Sequence, residues 1–264
     1  MAAGSTSFIH SLSIQKRVLG ALILREIITR YGRHNIGFLW LFLEPMLFTL
    51  GVTALWTIVK VSHGSGIPIA GFALTGYSSI LLWRNCTGRV VKAIEVNHSL
   101  MYHRNVRVID IFSSRIILEI AGATASLVTL SLLFSFFNLI NLPVDILTLI
   151  SGWILLAWFS FALSLVVGCL SEFTEIIERI WHVLTYLMFP LSGAAFMVDW
   201  LPKSFQNFVL WIPMLHCTEM IRHGYFGGIV KTYENPLYVI LINIILTLIG
   251  FALVKEVGNK VEPE

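Results

Sequence analysis

The chain has 264 residues, of which 56% are apolar and only 12% charged, with a mean hydropathy of +0.81. A soluble domain carries about 25% charged residues, so this composition cannot cover an ordinary aqueous surface. A net charge of +3 leaves no footprint for nucleic acid, and three scattered cysteines (Cys86, Cys169, Cys217) have neither the count nor the spacing of a disulfide framework or zinc site.

The first 35 residues lack the compact apolar core and small-residue cleavage site of a signal peptide. Instead, residues 8–33 set Ile9, Leu12, Leu19, Leu22, Ile23 and Ile27 at helical spacing among Lys16, Arg17, Arg25, Glu26 and Arg30. That pattern predicts an amphipathic helix in the cytoplasmic membrane interface. Six apolar stretches of bilayer-crossing length follow: Ile36–Val59, Ile67–Trp83, Ile116–Ile140, Ile146–Leu170, Ile180–Val198 and Leu237–Val254. The expected fold is therefore a single all-α polytopic membrane domain over residues 1–264, with six transmembrane helices. Continuous apolar runs, rather than alternating ten-residue segments, exclude a β-barrel.

An even number of spans puts both termini on one side. Fourteen of the eighteen Lys and Arg residues fall on the side of the termini, against Lys60, Lys203, Arg222 and Lys231 opposite. The positive-inside rule then predicts cytoplasmic termini. Between spans two and three, residues 85–110 form a basic cytoplasmic region long enough for a short partner-binding helix. Glu172, Glu175 and Glu178 share one helical face at the mouth of span five and read as a solvated or protein-contacting face. Residues 199–231 are expected outside: Asp199-Trp200-Leu201-Pro202 breaks span five, and Phe205 to Leu215 is apolar but too short to cross. A pair of short re-entrant helices fits that stretch, because irregular backbone at membrane depth must line a cavity or be buried in protein.

No GxxxxGK[ST], HExxH or GxSxG motif occurs, so the chain carries no nucleotide cradle and no catalytic signature. A membrane-embedded glycan-modifying enzyme would need clustered interfacial carboxylates. A proton-driven transporter would need more intramembrane acids than Glu44 and Glu119, and an internal repeat. Glu44 precedes Pro45, which bends span one. The aromatic residues, Trp40, Trp56, Tyr77, Trp83, Trp200 and Trp211 among them, suit either an interfacial belt or stacking platforms for a sliding sugar polymer.

Taken in order, LREIITRYGRHNIGFLWLFLEP (Leu24–Pro45), AIEVNHSLMYHRNVRVIDIFSSR (Ala93–Arg115), FPLSGAAFMVDWLP (Phe189–Pro202) and LWIPMLHCTEMIRHGYFG (Leu210–Gly227) resemble the permease subunits of ABC transporters that export capsular polysaccharide across the bacterial inner membrane. The likeness runs nearly end to end; one departure is Ile212-Pro213, where many members carry Asn-Pro. The wider family also exports O-antigen and teichoic acid, which stand as alternative substrates. The resemblance implies a multi-pass homodimer in the inner membrane, bound to two copies of an ATP-binding subunit that holds ATP and magnesium. It implies a lipid-anchored, acidic polysaccharide as substrate, with a periplasmic-spanning co-polymerase and an outer-membrane exporter further along the route. By the same resemblance residues 93–105, with Glu95, Asn97, Leu100, Met101, Tyr102 and Arg104, form the ATPase-coupling helix. Arg30, Arg33, Trp40, Glu44, Trp56, Tyr77, Trp83, Arg84, Arg89 and Lys92 are the expected vestibule and pathway residues, and Asp199, Trp200, Pro202, Trp211 and Pro213 belong to an external gate. An acidic glycan entering from the inner leaflet would favour such a basic mouth.

Overall fold

The computed structural model describes residues 8–31, 36–59, 66–101 and 106–261. Its elements are α1 (Phe8–Tyr31), α2 (Ile36–Ile58), α3 (Ile69–Val90), α4 (Ala93–Met101), α5 (Val108–Phe136), α6 (Ile146–Phe173), α7 (Glu175–Leu191), α8 (Lys203–Val209), α9 (Pro213–Phe226) and α10 (Pro236–Val261), with two 3-10 turns at Val198–Trp200 and Gly227–Ile229. No strand occurs among the described residues. Among the described residues four helices are long and apolar enough to cross a membrane: Leu39–Ile58 of α2, then α5, α6 and α10.

The other two expected spans correspond to α3 and α7, and both depart from the apolar pattern for physical reasons. α3 is the centre of the bundle, packed by α2, α5 and α6, and 17 of its 22 residues are buried. A helix surrounded by protein need not be apolar, so it tolerates Thr75, Ser78, Ser79 and Thr87 and continues through Arg84 and Arg89. α7 starts five residues before the expected boundary, where the Thr174 hydroxyl caps the Ile176 amide, and it stops at Leu191, one residue after Pro190. Of its 17 residues only Thr185 is buried, so α7 lines the edge of this chain rather than its core.

α6 holds the other half of the molecule, packed against α3, α9 and α10. Its Asp145 cap accepts from the Leu147 and Thr148 amides, satisfying donors that the first turn leaves open. α2 packs on α5 at an instructive point. Pro45 has no N–H to give the Leu41 carbonyl, and α5 presents Gly122 there, where a methyl group would come within 2.8 Å of that oxygen. Small residues permit such close helix approach where lipid supplies no hydrophobic drive between helices.

α1 lays a stripe of half-buried residues, Ile14, Val18, Leu19, Ile23 and Ile27 around buried Leu22, against α5 and α2. Polar side chains pin the same face. Gln15 bonds Asp110, Arg25 donates to Asn97 Oδ1 at 2.5 Å, Glu26 pairs with Arg115 at 3.3 Å, and Arg30 pairs with Glu119 at 2.5 Å. Leu12, by contrast, is exposed.

Candidate functional site

A cleft of about 410 Å³ opens between α2, α3 and α7, and its walls carry Glu44, Phe48, Arg84, Arg89, His182 and Tyr186. Three of the expected vestibule residues therefore meet here. Arg84 lies over the Tyr186 ring, 5.2 Å from its centroid, and Arg89 stands 3.9 Å from the half-exposed Glu44. Glu119, almost fully buried, accepts from Arg30 and forms an ion pair with Arg89 at 3.4 Å, so two cations share one buried carboxylate. A lone buried carboxylate would be strongly disfavoured, and this double pairing is what lets one sit within α5. The mouth is thus a paired network with one cation in excess, Arg84 on the Tyr186 ring, rather than a row of free cations.

The remaining vestibule candidates divide. Lys92 turns away from the cleft and pairs with Glu178 at 2.8 Å, a hydrogen bond that raises the lysine above its ordinary pKa. Trp83 is packed into the core and Trp40 is half exposed on α2. Arg33 lies outside the described residues, as do Tyr102 and Arg104 of the coupling segment.

From the cleft an aromatic ladder leads onward. Phe48 contacts Tyr77 with ring centres 5.9 Å apart, and Tyr77 meets Trp56 at 5.5 Å and Phe189 at 5.8 Å. Trp56 stacks on Phe72 at 5.9 Å, and Phe72 stacks on Trp200 at 5.2 Å. Tyr77 and Phe72 are buried behind, while Phe48, Trp56, Phe189 and Trp200 keep accessible surface. Four elements separated in sequence thereby deliver one continuous set of rings. Sequence analysis named Trp56, Tyr77 and Trp200 but missed Phe48, Phe72 and Phe189, since a phenylalanine in an apolar run carries no distinguishing signal.

Behind Trp200 sits the most deeply buried ion pair. Arg222 and Glu219, one turn apart on α9, are both fully inaccessible, with Arg222 Nη1 4.0 Å from the carboxylate. Arg222 donates to the carbonyls of Phe196 at 2.6 Å and Ala194 at 3.0 Å, and its guanidinium lies 3.9 Å over the Phe72 ring. Glu219 accepts from the Val198 and Tyr233 amides. Burial pushes the Glu219 carboxyl up to about 7, against the opposing pull of Arg222, and burial likewise lowers Arg222. The pair therefore ties segment 194–198 to α9. Gly76 on α3 makes room for it, because a methyl group there would sit 2.5 Å from the Ala194 carbonyl oxygen. Charge counting alone placed Arg222 on the side opposite the termini; its burial was not visible in sequence.

The expected external segment folds as two short helices, α8 and α9, joined by a turn at 210–212. Pro202 caps α8 and Pro213 opens α9, where a missing amide costs nothing. Asp199 accepts from the Tyr233 hydroxyl and pairs with Lys231, and Trp211 is exposed.

Within α4, Glu95 points outward while Asn97 and Met101 are buried and Leu100 is half-buried. The large outward apolar side chain is Val96, at 68% exposure, which sequence analysis did not single out. The turn before α4 places Lys92 in the left-handed region, φ 55°. Two contacts hold it to the α6–α7 corner. The Lys92 amide donates to Ser171 Oγ at 3.4 Å, and Lys92 Nζ pairs with Glu178 at 2.8 Å.

Comparison with known proteins places these features in context. Residues 17–226 match the family model described as ABC-2 type transporter. The capsule polysaccharide export inner-membrane protein CtrC of Neisseria meningitidis serogroup B is 47% identical over 263 residues, all of this chain and 99% of the relative. The capsule polysaccharide export inner-membrane protein BexB of Haemophilus influenzae is 41% identical over 98% of both chains. The polysialic acid transport protein KpsM of Escherichia coli is 26% identical over 92% of this chain and 94% of its own.

Proposed function

The chain belongs to the ABC-2 type transporter family, and from that premise we propose that it is the transmembrane permease of an ATP-driven exporter of capsular polysaccharide. The observation that carries this reading is the continuity of the cleft with the aromatic ladder. A polar mouth with most of its charges paired and one cation in excess admits an acidic glycan without a single tight stop, and ring faces then offer successive weak platforms to a sugar polymer. Open on one side, the cleft is flanked by unpartnered apolar side chains of α2 and α7, including Leu47, Ile180, Val183 and Leu187. A second copy of the chain facing it would close the pathway and supply α7 with the packing it lacks.

In this reading α3 and α7 complete six spans, both termini are cytoplasmic, α1 lies in the inner interface, and α8 with α9 forms the external gate. ATP and magnesium belong to a separate ATP-binding subunit that docks on α4 through Glu95 and Val96. Movement of α4 reaches the pathway through the contacts of Lys92, in the turn before it, with Ser171 and Glu178, since α7 begins at that corner and forms one wall of the cleft. A co-polymerase and an outer-membrane exporter carry the polymer further. The test is complementation: in a capsulated strain lacking its permease, this chain should restore surface capsule, and the strain without it should hold polymer inside. Restoration without any ATP-binding subunit, or glycan modification by the purified chain alone, would replace the reading with a secondary transporter or an enzyme.

A further inference from the structure

A second cavity, of about 500 Å³, lies between the α8–α9 turn and the start of α10, apart from the cleft and the aromatic ladder. The residues that define its chemistry are Asn207, Trp211, His216, Tyr233, Asn235 and Tyr238. None is a carboxylate, a lysine or an arginine. His216, the one titratable ring among them near neutral pH, spends both nitrogens inside the protein: Nδ1 accepts from the Asn235 amide at 3.2 Å, and Nε2 donates to the Leu210 carbonyl at 2.8 Å. That arrangement is the neutral tautomer. The walls are fixed in the same way. Tyr238 donates its hydroxyl to the Trp211 carbonyl at 2.8 Å, its amide donates to Asn235 Oδ1 at 3.1 Å, and its ring stands edge-on to His216 at 5.2 Å. Tyr233 is held by Asp199 at 3.1 Å.

What this rigid frame leaves unspent is specific. The Trp211 indole is 77% exposed although its own backbone is bonded on both sides, by Phe208 and Tyr238. The Asn207 side-chain amide makes no hydrogen bond among the described residues, and the Asn235 side-chain Nδ2 is likewise unspent, although its Oδ1 accepts from the Tyr238 amide. A flat apolar ring beside the free Asn207 amide and the free Asn235 Nδ2 matches a ligand with one C–H face and a rim of hydroxyls. The nearest charges, Lys231 and Asp199 at the Tyr233 wall, are paired with each other, so an anion would find no free counter-charge here, and an acyl chain would leave the amides unpaired.

We propose that this cavity is a neutral pyranose subsite on the outer mouth of the permease, with Trp211 as stacking platform and Asn207 and Asn235 as hydroxyl partners. It rests on the export reading for its role, which is to hold a sugar unit of the emerging polymer between steps. It does not rest on that reading for its chemistry.

The experiment uses the full-length chain in lipid nanodiscs, probed with cellobiose, maltose and N,N′-diacetylchitobiose by saturation-transfer NMR. At least one disaccharide binds the wild type; Trp211→Ala weakens it about tenfold and Trp211→Phe by much less, as loss and retention of one ring face require. Asn207→Leu weakens it too, and added salt changes nothing, because no charge is engaged. All variants should unfold at the wild-type temperature, since Trp211 and Asn207 are exposed. If the wild type binds none of the three, or Trp211→Ala binds as well as wild type, Trp211 is a membrane-interface anchor and the subsite is overturned. Capsule complementation, scored separately, tells that failure from a failure of the export reading.

Discussion

Replacing Arg222 with Met keeps most of the aliphatic stem but removes a guanidinium that has no access to solvent, and it leaves every partner in place. Glu219 would then be a buried carboxylate without its cation, the Ala194 and Phe196 carbonyls would lose their donor, and Phe72 would lose the charge over its ring. Hydrogen bonds to a charged donor contribute about 1.5–3 kcal/mol each, and a desolvated cation–π contact contributes about 2 kcal/mol. These terms belong to one group and are not additive; breaking a buried pair from one side costs about 3–5 kcal/mol as a whole. For a chain of this size that corresponds to a fall in unfolding midpoint of roughly 6–20 °C.

The loss also has a pH signature. In the wild type, burial already raises Glu219 from 4.5 to about 7. A raised carboxyl holds its proton in the folded state first, so its contribution to stability falls as pH rises from 4.5 towards 7. Without Arg222 the folded value climbs further, and the fall continues above pH 7 at about 1.4 kcal/mol per unit. Thermal unfolding of the purified protein at pH 6 and pH 9 measures this, and Arg222→Met should lose more at pH 9. Arg222→Met with Glu219→Gln should recover at least half the loss and flatten the pH dependence. A single variant that unfolds within about 3 °C of wild type, or a double variant no better than the single, would refute the buried-pair account.

Val96→Asp should weaken binding of the ATP-binding subunit roughly thirtyfold, the cost of one central apolar anchor, whereas Met101→Ala should lower stability instead; a pull-down with thermal unfolding separates the two. Lys92→Glu should leave stability within about 1 kcal/mol, since the pair with Glu178 is partly exposed, yet reduce polymer exported per ATP hydrolysed. Adding Glu178→Lys should restore that ratio, and failure of the swap would remove the pair from the coupling route. Glu44→Gln should keep export within about twofold, because the pair with Arg89 is long, at 3.9 Å, and half exposed, and Glu44→Leu should lose about tenfold; capsule quantification in complemented cells decides it.

Local sequence carried much of the fold. Hydropathy alone set α2, α5, α6 and α10, because a bilayer demands about twenty apolar residues in any helix that faces it. Pro202 reads as the break in span five, and it stands at the start of α8 as Pro213 stands at the start of α9. Where protein rather than lipid surrounds a helix that demand lapses, which is why α3 extends through Arg84 and Arg89 beyond the apolar stretch. The site was legible only in its residue types. Whether Arg30 and Arg89 meet substrate or Glu119 depends on a pairing that joins α1, α3 and α5 across 89 residues of sequence. Lys92 reads as one more vestibule cation until α7 brings Glu178 to it, and Arg222 reads as a charge on the side opposite the termini until α3 and segment 194–198 close over it. Helix periodicity and hydropathy are local properties that a chain states one turn at a time. Which charges neutralise each other, and which rings line up, is decided by packing between distant helices, and only the tertiary structure fixes that.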